Sequence, residues 1–413
     1  MIDTGDIPRA FLRGVPPDLP ALGLAVSGGS DSLAMMYAAH AVFAGTGTRL
    51  AVATVDHALR DVSAAEADGV ARAAAALGLD HDILTWGAGD LPGWDGRGNL
   101  QDAARRARYA LLSNWAARHG LGAVALAHTA DDQAETVLMR LARAGGVDGL
   151  AAMAADSHRN GLRLLRPLLA VRRAELRRYL TALGVDWVDD PSNDNPAFDR
   201  IRIRKALETL GDIGISVPAL TQVAQHMQSA RIALEGQATA AMGALAQSDS
   251  GDLLLDRAGL LDLPAETARR VLIRGLRAVT GQNGYPPRGV AIDRLLTAVT
   301  EGRNDTQAGC RLLVRRDRVR LCREYAAVRD LRAEPGQAWD GRWRLIGPIE
   351  PDVHVAALGP EGARQCPDWR VTGRPHASVI ATPAVWQGQR LIAAPLANLP
   401  QGWRAEPAFP SDA

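Results

Sequence analysis

Up to about residue 150, short apolar runs rich in small and β-branched residues alternate with longer segments whose apolar positions recur at helical spacing. A strand buried on both faces needs apolar side chains on both, whereas a helix returning over the sheet needs one apolar stripe, so this rhythm predicts a parallel sheet with crossover helices. Strands are expected over Leu22–Val26, Leu50–Val55, Asp82–Thr85 and Ala123–Ala127, and helices over Leu33–Ala44, Ala64–Leu77, Gln101–His119 and Asp132–Ala144.

From Arg163 to Lys205 the pattern stays mixed and becomes strongly basic, and residues 218–300 then look mostly helical, with helices over Leu220–Met242 and around Leu260 and Ala291. Beyond about residue 305, alternating runs such as Arg311–Leu321, Trp343–Ile346 and Leu391–Ala394, punctuated by Pro and Gly, predict strands. The expected organisation is a parallel-sheet α/β domain over residues 1–212, a helical middle domain over 213–325 and a small β-rich or α+β C-terminal domain over 326–413.

Composition narrows the classes. With 47 Lys and Arg against 46 Asp and Glu, the chain has no global field to attract nucleic acid, so any such partner must be held by local patches. Lys205 is the only lysine, which leaves phosphate to arginine and backbone N–H groups at almost every position. Cys310, Cys322 and Cys366 form no CxxC pair or zinc spacing. Met1–Pro20 lacks the apolar core of a secretory signal, and no run approaches the roughly 18 apolar residues of a membrane span. A cytoplasmic protein with no membrane partner is expected.

Four polar clusters fall just after a strand or at the start of a helix, where open α/β sheets bind ligands. Ser27-Gly28-Gly29-Ser30-Asp31-Ser32 follows the first strand. Paired glycines let the backbone turn and approach a ligand, and the helix N-terminus aims free N–H groups at an anion. A plain turn capped by Ser30 or Asp31 would look similar. The chain contains no GK[ST], which excludes a Walker A loop. Asp56, in Val55-Asp56-His57-Ala58-Leu59-Arg60, could receive ribose hydroxyls or cap a turn. Asn99–Tyr109 places Arg105, Arg108 and Tyr109 on one helix face, suited to phosphate or simply to solvent. In His128-Thr129-Ala130-Asp131-Asp132-Gln133-Ala134-Glu135, Thr129 and Asp132 fit a capping box, yet a cap does not explain so many acids at a strand's mouth. Converging carboxylates suit Mg²⁺ or an amine substrate.

The hexapeptide SGGSDS resembles the pyrophosphate-binding loop of the N-type ATP pyrophosphatases, or PP-loop enzymes, which implies a Rossmann-like catalytic domain that cleaves ATP to AMP and pyrophosphate. The ordered set SGGSDS, VDHALR, NLQDAARRARY, AHTADDQAET and DPSNDNPAFDRIRIR is similar to the tRNA(Ile)-lysidine synthase family over residues 20 to about 210. Gln101 and Asn195 stand where that family commonly has acids.

The resemblance implies ATP and Mg²⁺ as cofactors, and free L-lysine and a tRNA(Ile) with a CAU anticodon as substrates. It also implies a catalytic set of Asp31, Arg105, Asp132 and Glu135. Ser27 to Ser32 with Asp56, His57 and His128 would bind nucleotide, and Asp31 and Asp132 would hold the metal. Arg105 would stabilise the transferred phosphate, and Asp132 with Glu135 would take the lysine amine. Arg108, Arg172, Arg173, Arg200, Arg202 and Arg204 would meet tRNA, together with the basic runs Arg163–Arg178 and Arg311–Arg323, which locally face only Glu175 and Asp317. Family members are often homodimers, though no dimer surface is legible here. Rival expectations are a tRNA-thiolating PP-loop enzyme, disfavoured because no cysteine precedes Cys310, an amidotransferase-linked synthetase, and a silent tRNA binder.

Overall fold

The computed structural model describes residues 5–57, 63–88, 92–94, 96–159, 161–188, 199–281, 289–348 and 351–408. Most of the DPSNDNPAFDR stretch, with Asn195, and Ala58 to Arg60 lie outside them. The chain divides into two compact units, Met1–Arg231 and Ile232–Ala413.

The first unit follows the order α1 (Asp6–Arg13), β1 (Ala21–Ala25), α2 (Ser30–Phe43), β2 (Arg49–Asp56), α3 (Ser63–Ala76), β3 (Asp80–Thr85) and α4 (Leu100–Arg118). It continues with β4 (Ala123–Leu126), α5 (Ala130–Leu141), α6 (Val147–Leu150), β5 (Asp156–Arg159), β6 (Leu162–Leu165), α7 (Arg173–Ala182) and α8 (Asp199–Gly211). Each expected strand and helix of the first 150 residues is present, with ends shifted by one to three residues.

The six strands form one sheet in the order β3-β2-β1-β4-β6-β5, parallel except for the β5–β6 pair. Along β1 the side chains alternate: Leu22, Leu24 and Val26 join the core under α1, α2, α3 and α7, while Ala25 joins the core that holds Tyr109, Leu112 and Trp115 of α4. Both faces are covered, which is why the strands read as continuous apolar runs. The chain leaves β1 for β2 on one side and returns to β4 on the other. That reversal opens a crevice beyond the paired strand ends Ala25 and Leu126, where the next residues are the Ser27 and His128 clusters.

The second unit contains a hairpin inside the stretch expected to be helical. Its strands β7 (Ala246–Asp249) and β8 (Asp252–Asp256) turn at Ser250 and Gly251, both with positive φ (53° and 86°), as a tight primed turn requires. With β9 (Asp305–Gln307), β10 (Cys310–Val314) and β11 (Arg318–Arg323) they form an antiparallel sheet ordered β7-β8-β11-β10-β9. Helices Ala265–Thr280 and Gly289–Glu301 cover it, packing Val271, Leu276, Ile292 and Leu295 against Leu312, Val319 and Leu321. Beyond it, a four-stranded sheet centred on Val353–Ala357 and Pro383–Gln387 and a three-stranded sheet centred on Trp343–Ile346 complete the expected β-rich C-terminal region.

Gly23 is the tightest point in β1: a Cβ there would stand 2.6 Å from Cζ3 of fully buried Trp115 and 2.9 Å from Cδ1 of Leu121. Replacing glycine restrains the unfolded chain by about 0.4–1 kcal/mol, but overpacking a rigid core costs about 1–3 kcal/mol. Gly23→Ala should therefore lower stability by roughly 1–2 kcal/mol, seen as a reduced urea midpoint. An unchanged midpoint would show that the indole can give way.

Candidate active site

Three elements starting at the crevice supply the site. After β1, Gly28 takes φ of 88°, a left-handed conformation that disfavours side chains, and Gly29 begins α2 without any side-chain cap. Ser32 holds the loop in shape. Its hydroxyl donates to the Gly29 carbonyl at 3.0 Å and accepts from the Ser27 N–H at 3.1 Å. An uncapped helix start with a braced glycine loop leaves first-turn amides for an anion.

After β4, α5 starts with the expected capping box. Oδ2 of Asp132 accepts from the Thr129 N–H and hydroxyl, both at 2.9 Å, and the Thr129 hydroxyl accepts in turn from the Asp132 N–H at 3.3 Å. Only one carboxylate oxygen is used in this way. The other, Oδ1, faces Arg173 Nη2 at 3.3 Å. The cap therefore occupies one oxygen of the group and leaves the other facing Arg173.

The third element is the start of α7. The Arg173 N–H donates to Asp131 at 2.7 Å, and Arg172 pairs with the same carboxylate at 3.2 Å. The Arg173 side chain donates through Nε to Asp31 Oδ2 at 2.8 Å and lies 3.8 Å from Glu135 through Nη1. Glu135, only 1% exposed, also accepts from Arg204 of α8 at 3.0 Å, and its Oε2 is buried without a partner among the described residues.

A cavity of about 700 Å³ opens between these elements. Its lining includes Ser27, Gly29, Ser30, Asp31 and Ser32 from the first loop, His128 and Asp132 from the second, and Arg108, Arg173, Arg177 and Arg204 from α4, α7 and α8. Burial pushes the Asp31 and Glu135 carboxyls up against the pull of Arg173 and Arg204 respectively. Burial acts on Asp132 in the same direction, but Arg173 and the Thr129 hydrogen bonds outweigh it and hold that carboxyl below its usual value. Burial lowers His128 to about 3, so its ring is neutral at pH 7 and offers a hydrogen bond rather than charge.

Other expected residues are placed differently. Arg105 is exposed and stands 5.4 Å over the Tyr109 ring, while Arg108 of the same helix lines the cavity. Gly28 shapes the loop from outside the lining, accepting from the Val188 N–H at 3.3 Å. Asp56 ends β2 and His57 follows it, edge-on to Trp86 at 6.0 Å. Arg200 and Arg202 are exposed. Arg177 was legible only as part of a basic run, although its i, i+4 spacing from Arg173 on one helix face was a usable signal.

The basic runs need correction. Arg166 is buried, donating to the Ala154 carbonyl and the Ser157 hydroxyl at 2.8 and 2.9 Å. Arg163 pairs with Asp156. In the third run, Arg320 pairs with Asp249 and Asp252 and Arg323 with Asp340. Acids outside the run neutralise Arg163, Arg320 and Arg323, and a carbonyl and a hydroxyl hold Arg166, so these arginines serve the fold.

The donor set fits a hard cation only as part of a larger assembly. Among the described residues no three His, Cys, Asp or Glu side chains converge to hold a metal alone. Yet one oxygen each from Asp31 and Asp132 meets a single cationic group, the Arg173 guanidinium. Two carboxylates plus phosphate oxygens is how Mg²⁺ is commonly held. No helix among the described residues is long and apolar enough to cross a membrane.

Comparison with known proteins places this geometry. Residues 10–210 match the family model described as the PP-loop domain. Over 398 residues the chain is 49% identical to the tRNA(Ile)-lysidine synthase of Ruegeria pomeroyi, covering 96% of this chain and 93% of that protein. It is 42% identical to that of Methylobacterium nodulans over 68% of this chain and 82% of that one, and 40% identical to that of a Bradyrhizobium strain over 74% and 90%. With the glycine loop, the second acidic loop and the sheet reversal in place, and likeness running almost end to end, the chain belongs to the tRNA(Ile)-lysidine synthase family.

Proposed function

We propose that the chain joins free L-lysine to C2 of the wobble cytidine in a tRNA(Ile) with a CAU anticodon, using ATP and releasing AMP and pyrophosphate. The observation that carries this reading is the convergence of the Ser27–Ser32 loop, with Asp31, and Asp132 on one cavity, with Glu135 buried behind it against the lining residues Arg173 and Arg204. Its volume of about 700 Å³ lies within the range of ligand pockets.

In the first step the cytidine O2 attacks the α-phosphorus and pyrophosphate leaves. The amides of Gly29, Ser30 and Asp31 and the hydroxyls of Ser27 and Ser30 receive the pyrophosphate, with Asp56 near the ribose. Positive charge on α4, from Arg108 in the wall and Arg105 on the same helix, offsets the transferred phosphate. Asp31 and Asp132 hold Mg²⁺, which when bound screens the polyphosphate charge. In the second step the lysine ε-amine attacks C2 and AMP leaves. Glu135, with its spare buried oxygen one turn along α5 from Asp132, binds that amine and accepts its proton. The cytidine must leave the anticodon stack to reach the crevice. Exposed Arg200 and Arg202 suit tRNA phosphates.

Sulfur transfer is a poor fit. The three cysteines lie in the second unit, all buried, and burial pushes Cys310 and Cys322 up to about 12, so neither offers a thiolate.

Asp132→Asn keeps an oxygen that can accept the capping bonds at Thr129 but removes the charge that faces the cavity. Mass spectrometry of tRNA(Ile) incubated with the variant, ATP, Mg²⁺ and labelled lysine should show lysidine formation reduced at least about 100-fold, with the circular dichroism spectrum unchanged. Full activity would sink the assignment.

Binding of tRNA should weaken steeply between about 50 and 200 mM salt. Arg200→Ala and Arg202→Ala should each flatten the log-log salt slope by about one. Salt-insensitive binding would remove arginine–phosphate contacts from the account.

A further inference from the structure

The reaction as proposed gives Arg173 no task, although no other residue binds the site together as it does. It opens α7, 142 positions from Asp31 and 41 from Asp132, and its guanidinium meets both. Its N–H is fixed by Asp131, so the backbone is anchored while the long side chain alone reaches into the cavity. That side chain is 21% exposed and lies at the wall rather than sealed in the core.

The oxygens it engages, Asp31 Oδ2 and Asp132 Oδ1, are the atoms assigned above to the metal. The second oxygen of Asp132 is committed to the cap of α5, and the second of Asp31 accepts from the Ser30 hydroxyl at 3.3 Å. Few carboxylate lone pairs are left for a second cation beside the guanidinium, and two like charges at that range repel strongly.

We propose that Arg173 is a displaceable internal cation: it fills the metal seat between Asp31 and Asp132 when nucleotide is absent and leaves it when the metal arrives with polyphosphate. Arg173 is then a positioning residue of the ATP site and not a tRNA contact. Ligand-free, it joins the two loops and neutralises their carboxylates. When ATP enters, the phosphates on the Ser27–Ser32 loop offer the guanidinium a new anion within the same cavity. Arg177, one turn further along α7 and 3.5 Å from the Ser30 hydroxyl, already directs a cation there. Metal without nucleotide brings no such compensation, so the enzyme disfavours metal alone and loads metal and ATP together.

The inference rests on the reading of Asp31 and Asp132 as the metal pair, and the test separates the two. Mn²⁺ alone is titrated into the full-length protein and followed by the loss of its free paramagnetic resonance signal. Arg173→Gln should bind Mn²⁺ at least tenfold more tightly than the unaltered chain, whereas Arg173→Lys, which keeps the charge, should stay within about threefold of it. The Arg173→Gln protein should also melt at a lower temperature without metal and regain the difference when Mn²⁺ is added. A purely structural arginine would give the opposite, weaker metal binding on removal.

Equal or weaker Mn²⁺ binding by Arg173→Gln overturns the displacement, and so does Arg173→Lys behaving like Arg173→Gln. If Asp31→Asn leaves Mn²⁺·ATP binding at the level of the unaltered chain, the metal pair itself is wrong. If Asp31→Asn weakens Mn²⁺·ATP binding while Arg173→Gln gains nothing, only the displacement fails.

Discussion

Asp31 and Asp132 in the cavity wall and Glu135 behind it are largely withdrawn from water, and the first unit is arranged around making that tolerable. An unpaired buried carboxylate costs several kcal/mol, so each needs a cation or a set of donors. The donors come from three separate places: Thr129 at the start of α5, Arg173 at the start of α7 and Arg204 on α8. Residues far apart in the chain must therefore be in register for the acids to stay ionised. The sheet reversal at β1 and β4 makes this possible, because it sets the two acidic loops side by side.

The same constraint explains which parts were legible in the sequence. The central strands β1, β2 and β4 carry their own signal, since burial on both faces writes short apolar runs, whereas β5 and β6 were not anticipated. The glycine loop is legible because Gly28 answers a local backbone need. Arg173 was not, because its meaning depends on Asp31, and no local pattern reports a partner 142 positions away. Arg320 and Arg323 misled for that reason too: counting nearby acids missed Asp249, Asp252 and Asp340. The hairpin at Ser250–Gly251 was hidden between helices, because strands of four and five residues leave too short a pattern to outweigh helical neighbours.

The second unit meets a similar problem with other residues. Asp252 is buried on β8, paired with Arg320 and accepting from the Ser378 hydroxyl, with the Arg374 guanidinium 3.9 Å away. Asp340 likewise takes both Arg323 and Arg342. In a chain with 46 arginines and one lysine, planar forks that bind carboxylates at two points become the general fastening. A net charge near zero thus describes a molecule in which opposite charges meet across the fold. In the runs that looked most basic, Arg163, Arg320 and Arg323 are taken up by acids of the fold, while Arg178, Arg315 and Arg316 stay exposed.

The division of labour within Asp132 reaches beyond its own helix. Because Oδ2 is held by Thr129 before any substrate arrives, Oδ1 has one direction in which to point. The rotational freedom of that carboxylate is surrendered when the protein folds, so binding and reaction need not freeze it again. The group is aimed from the start, and its direction at this end of the cavity is inherited from the first turn of α5.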